Sequence, residues 1–193
     1  MSQSRPDEAK EHLSLAWSAW KGIDDPTDPR LPPLPTRLSL VKLFLELSLF
    51  TPALLVLHGI MASDDEEVEA WYLEGLCFFL MAEEAKEMEG GKLDELSWEE
   101  LAKDSRDCLE TCQVVGPLNM AYLIFCSHCM QQLFTDQEHP DAPLLEHAKE
   151  LITKLDTQGI TPSRANMVDD DNWEDEDGSG DGSGDGDGDV EMS

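Results

Sequence analysis

The chain has 193 residues, 40% of them apolar, and carries 42 Asp and Glu against 13 Lys and Arg, for a formal net charge of −29 at pH 7. So large a negative surplus repels phosphate backbones and anionic bilayers, which argues against nucleic acid and membrane as partners and in favour of a strongly basic polypeptide. The five cysteines are an odd number, and the opening MSQSRPDEAKEH has no apolar signal-peptide core, so they read as reduced thiols of a cytosolic or nuclear protein.

Nearly every patterned segment has helical period. The spacing predicts a first helix over 8–23, with Ala9, Leu13, Ala16, Trp17 and Trp20 on one face. The run DDPTDPRLPPLP then forbids helix. Further helices are predicted over 36–50, 52–62, 66–89, 97–115, 117–136 and 143–158. Ser97 and Glu100 form a capping box, Pro52 and Pro117 suit first turns, and Gly159 is a stop. The most apolar run, 38–59, contains Lys42, Glu46, Pro52 and His58 and breaks at Thr51-Pro52, so it is not a membrane span. Period-two runs of β-branched residues are absent, and the fold class is all-α.

The helices repeat. An offset of 34 aligns Phe44 with Phe78, Val41 with Gly75 and Arg37 with Trp71, the period of a tetratricopeptide repeat, in which antiparallel helix pairs stack into a solenoid. Second helices share a spacing: Phe50, Ala53, Leu57 and Ile60, then Trp98, Leu101, Ser105 and Cys108, then Leu145, Ala148, Ile152 and Leu155. The later repeats carry insertions, placed at EEAKEMEGGKLDEL and near DQEHPDAP. The first helix, with Ala9, Leu13 and Ala16, fits a second helix with no first helix before it. It reads either as the start of the C-terminal part of a longer array, or of an end covered by a partner, or as an ordinary amphipathic helix docked on the next repeat.

Residues 1–159 form the expected repeat domain, with an incomplete first repeat, and 160–193 an acidic tail. Between Asp169 and Glu191 lie twelve acidic residues and no Lys or Arg, the rest mostly Gly and Ser. Such a segment has too little apolar surface to offset the entropy of ordering it, so a disordered polyanion is expected.

On a solenoid of this type the first helices line the concave face. That places Leu38, Lys42, Leu45 and Glu46, then Glu69, Tyr72, Leu76 and Phe79, toward a bound polypeptide, with Trp71, Gly75 and Phe78 inside. Tyr72 and Phe79 read equally well as groove or core. The expected partner-binding residues are Glu46, Glu69, Tyr72, Leu76 and Phe79, joined by Asp169, Asp170, Asp171, Glu174, Asp175, Glu176 and Asp177 of the tail. Cys126, His128 and Cys129 supply half the ligands of a zinc site. The pair that could complete it, Cys108 and Cys112, sits one turn apart on a helix, and buried thiols are the preferred reading. The Gly-Asp run of the tail lacks the apolar anchors of calcium-binding nonapeptides. His12, His58, His139 and His147 are scattered, and no nucleophile elbow or phosphate loop is present. No metal, cofactor or catalytic activity is expected.

RLSLVKL at 37–43, ALLVL at 53–57, the acidic turn DDE at 64–66 and WYLEG at 71–75 resemble the C-terminal half of the fungal assembly chaperone of large-subunit ribosomal protein four. The opening SQSRPDEAKEHL and the acidic end are also similar, so the resemblance runs from residue 2 to the tail. It implies an α-helical repeat protein that binds a newly made, very basic ribosomal protein, keeps it soluble and accompanies it from cytoplasm to nucleus; separately, the protein is expected to be a monomer. It also implies further, more regular repeats before those present here. Two other expectations stand beside it: a co-chaperone clamp for an acidic heat-shock-protein tail, which would need several concave cations where only Lys42 is placed, and a generic acidic chaperone of the histone type.

Overall fold

The computed structural model describes residues 5–23, 25–127 and 141–162, with backbone alone over 117–127. Helix α1 (Pro6–Ser18) opens with Pro6 in its first turn and with Asp7 and Glu8 beside its positive end. Its Leu13 and Trp17, with Trp20 just beyond it, pack on the core, Trp17 edge-on to Phe44 with centroids 6.2 Å apart. The proline-rich segment follows, its turns held by Asp25, which accepts from the Thr27 N–H, and by Asp28, which accepts from the Arg30 N–H.

Helix α2 (Leu34–Glu46) and helix α3 (Phe50–Met61) bury Val41, Phe44, Ala53, Leu57 and Ile60 completely or nearly so. Full burial of each large aliphatic contributes about 1.5–3 kcal/mol. The break between these helices comes earlier than Thr51-Pro52. Ser48 takes a left-handed conformation (φ 53°) and the Leu49 N–H donates to the Phe44 carbonyl, so Pro52 falls in the first turn of α3, where its missing N–H costs nothing.

Helix α4 (Val68–Glu87) is followed by a two-stranded hairpin, β1 (Lys92–Leu93) and β2 (Leu96–Ser97), in the predicted insertion. Asp94 and Glu95 both have positive φ, the geometry of a two-residue hairpin turn, and this small strand pair departs from a purely helical body. Helix α5 (Trp98–Ser127) begins with the predicted capping box: the Ser97 N–H donates to Glu100 at 2.8 Å and the Glu100 N–H to the Ser97 hydroxyl at 3.3 Å. It does not end at Gly116-Pro117. The proline forfeits the bond to the carbonyl four residues back and crowds that carbonyl, while Gly116 gives Leu145 room that a Cβ, 2.9 Å from Leu145 Cδ2, would take. The remainder of the helix predicted to 136 lies outside the described residues. Helix α6 (Ala142–Thr157) stops at Gly159, φ 79°, as expected.

Paired contacts fix the directions. Val68 meets Cys112, Gly75 meets Ser105, and Lys86 lies over Trp98, so α4 and α5 are antiparallel. Gln113 meets Leu145 while Arg106 meets Asp156, so α5 and α6 are antiparallel too. Tyr72 meets His147 and Lys86 meets Gln158, which makes α6 parallel to α4 and seats it along that helix.

Candidate functional site

The stripe Glu69, Tyr72, Leu76 and Phe79 lies along one side of α4, as helical spacing dictates. Parallel α6 covers most of it. Glu69, in the first turn, holds Lys42 of α2 at 2.5 Å. One turn on, the Tyr72 hydroxyl is 2.7 Å from His147 Nδ1, and burial, reinforced by Cys112 and the Glu69 carboxylate, raises its pKa. Leu76 is half-buried against the core. Phe79 is 5% exposed, with the Lys154 ammonium 4.6 Å from its ring centroid. Of the two sequence readings of Phe79, the structure gives core. Trp71 is half-buried at the rim and donates its indole N–H to the Asp65 carbonyl at 2.7 Å, while Gly75 is buried against Leu109. Glu46 is exposed at the end of α2, beside a cavity of about 350 Å³ that His12, Leu13 and Leu43 also line. It is separate from the α4 stripe. Asp169, Asp170, Asp171, Glu174, Asp175, Glu176 and Asp177 lie outside the described residues, as do His128 and Cys129.

Sequence spacing did not assemble the negative end of the body. Because α4 and α6 are parallel, their N-termini meet. Asp64, Glu67 and Glu69 thereby stand close to Asp141, and burial together with these neighbouring charges raises the pKa of Glu67. The acidic turn at 64–66 was legible; Asp141, far along the chain, was not. A second negative strip follows α5, where burial and the charges of Asp107 and Glu100 raise the pKa of Asp104. Several of the scarce cations are already paired with carboxylates. Lys86 bonds Glu83 and Gln158 at 2.7 Å and lies over Trp98. Lys154 approaches Glu83, and Arg106 is shared by Glu110 and Asp156. The exposed surface is therefore a field of excess carboxylates, suited to attracting and holding positive charge.

Cys77 and Cys112 are buried and Cys108 is half-buried. Burial pushes the thiols of Cys77 and Cys112 up to about 12, and that of Cys108 further still with the Glu74 carboxylate beside it. Thiols held neutral in this way are poor nucleophiles and poor ligands. Among the described residues no group of three or more His, Cys, Asp or Glu could hold a metal ion, and no helix is long and apolar enough to cross a membrane.

No family model matches the chain. Over 182 residues it is 33% identical to a protein of Emericella nidulans named "Probable assembly chaperone of rpl4". That alignment takes in 92% of this chain and 42% of the relative, so the chain spans less than half the length of the curated protein it matches. Acidic, helical and similar along nearly its whole length, the chain resembles the fungal assembly chaperone of rpl4.

Proposed function

We propose that the chain acts, without catalysis, as an assembly chaperone or as the C-terminal portion of one. It binds and shields a newly made basic protein of the large ribosomal subunit, with rpl4 the first candidate. The observation that carries this reading is the pairing of a relative so named with a net charge of −29, in which Arg5, Arg30, Lys42, Lys86, Arg106 and Lys154 already pair with carboxylates. A basic extension destined for RNA binds any polyanion, and an acidic chaperone occupies it until RNA takes over. Exposed Glu46, the acidic end around Asp64, Glu69 and Asp141, and the tail carboxylates from Asp169 to Asp177 supply the attraction. Tyr72, Leu76 and Phe79 act through the packing that sets the shape of this face.

Tetratricopeptide-like pairing is the architecture we favour. Its support is the burial of Phe50, Ala53, Leu57 and Ile60 and of Leu101 and Ser105 at matching positions, and the antiparallel packing of α4 and α5. In this reading the protein is a monomer that follows its client from cytoplasm to nucleus, and it engages neither RNA nor membrane directly. The clamp alternative loses ground because Lys42, its one concave cation, is paired with Glu69.

The test is binding of the purified full chain to rpl4 over a salt series, with and without residues 163–193. Affinity should fall with salt, and more steeply with the tail present. Failure of a folded preparation to bind at low salt would remove the proposal, and equal affinity for unrelated basic proteins would replace it with a generic acidic chaperone.

A further inference from the structure

A cavity of about 430 Å³ lies between α1, the proline-rich segment and α3. Its chemistry is opposite to that of the rest of the protein. Trp17, Trp20 and Leu55 supply apolar walls, Leu55 being 52% exposed, while Lys21, Arg37 and His58 bring positive or protonatable groups to the same opening. Lys21 lies over the Trp17 ring at 5.4 Å, and His58 Nε2 is 2.9 Å from Glu74. Arg37 differs from both. Among the described residues it has no ion-pair partner, and its Nε is buried without an acceptor. An unpaired guanidinium beside the opening is a donor fork for an anionic acceptor entering the cavity. A strongly basic client is a poor source of that acceptor.

We propose that this cavity holds the chain's own acidic segment, residues 169–177, with Trp173 seated against Trp17, Trp20 and Leu55 and a flanking carboxylate accepting from Arg37. The sequence DDDNWEDED is the complement the cavity asks for: one large aromatic among seven carboxylates. Reach permits it. Gln158 lies beside Lys86 near the end of α4, and His58 of the cavity lies beside Glu74 of the same helix. That separation is about 18 Å along the helix at 1.5 Å per residue, plus about 10 Å for one helix packing distance. The chain from 161 to 173 extends to about 43 Å and as a coil averages about 20 Å, so tethering sets an effective concentration in the millimolar range. The occupied state masks part of the tail from nonspecific cations. A basic polypeptide competes for the same carboxylates, so its binding frees the tail from the cavity.

The experiment is fluorine NMR of the full chain labelled with 5-fluorotryptophan, in which the five tryptophans give five resonances assigned by single Trp→Phe changes. Replacing the seven carboxylates of 169–177 by their amides should shift the Trp17 and Trp20 signals, leave Trp98 in place, and move Trp173 to its random-coil position. Arg37→Gln and about 0.5 M salt should have the same effect on Trp173, since exposed charge pairs are screened at that ionic strength. Unchanged Trp17 and Trp20 signals in the amide variant would overturn the proposal. The amide variant alters only the tail, so it decides the matter even if Arg37→Gln unfolds. A Trp173 shift that grows with protein concentration would assign the cavity to the tail of a second copy and refute docking within one chain.

Discussion

Ser105 of α5 donates its hydroxyl hydrogen to the Gly75 carbonyl of α4 at 2.8 Å, and both residues are buried at the crossing of the two helices. The contact needs both small residues. A Cβ on Gly75 would lie 2.7 Å from Leu109 Cγ and 3.2 Å from the Leu109 backbone nitrogen, and the backbone atom cannot rotate away. Gly75→Ala should therefore cost about 1–3 kcal/mol by overpacking, despite a helix-propensity gain of about 1 kcal/mol. Ser105→Ala, which removes one bond and leaves the packing, should cost about 1 kcal/mol. Urea unfolding measures both, and a stabilised Gly75→Ala protein would show that α4 and α5 are not pressed together as described.

The positions of that crossing were legible from spacing, because a 3.6-residue period reports which residues share a face. So were the Ser97–Glu100 cap and the Gly159 stop, which are local chemistry. What sequence reading lost was non-local or subtle. Ser48 breaks α2 with a positive φ that neither Gly nor Asn announces. Pro117 sits within α5, which runs on to Ser127, beside the contact of Leu145 with Gly116, so tertiary context overrides the local stop signal. Burial of Phe79 depends on α6 running parallel to α4, a fact of topology carried by no local pattern.

Arg106 fastens the end of α6 to α5. It gives Nε to Glu110 at 2.6 Å and Nη1 to the Ile160 carbonyl at 2.7 Å, and it pairs with Asp156. Arg106→Met keeps the apolar stem and removes the fork, leaving a buried carbonyl without its donor. The expected cost is about 1–3 kcal/mol, since Asp156 is half-exposed and recovers water. Arg106→Lys should rescue only part, because one ammonium cannot reproduce a planar fork. Hydrogen exchange should locate the loss at the Ile160 amide, which donates to Leu155. A loss spread evenly over the body would contradict the local role.

The buried thiols predict a stability that falls at alkaline pH. The folded-state pKa values of Cys77 and Cys112 are raised to about 12 and that of Cys108 is also raised, each chiefly by burial. An unfolded thiol titrates near about 8.5. Below that pH both states hold the proton and the thiols add no pH dependence. Above it the unfolded state releases protons that the folded state keeps, so unfolding becomes easier as pH rises toward 12. The slope approaches about 1.4 kcal/mol per pH unit for each thiol. Urea midpoints under reducing conditions at pH 7, 8, 9 and 10 measure it, and Cys112→Ala should flatten the curve. Midpoints independent of pH over that range would mean that the thiols ionise within the fold.

Lys42 and Glu69 give the proposed function its sharpest local test. Their ion pair at 2.5 Å spends one of the carboxylates expected to face a basic client. Lys42 is 54% exposed on its side chain, so the pair adds only about 0.2–1 kcal/mol to the fold. Lys42→Gln should leave the urea midpoint almost unmoved while freeing Glu69 and lowering the local positive potential. Binding of a basic ribosomal protein should then tighten about 2–5-fold at low salt and lose that gain at high salt. Glu69→Gln should weaken it by a similar factor, and the double variant should resemble Glu69→Gln, because the freed carboxylate is what Lys42→Gln contributes. If Lys42→Gln binds no better, or if its gain survives removal of Glu69, then the client does not meet α4 at its acidic end, and attraction resides elsewhere on the surface or in the tail.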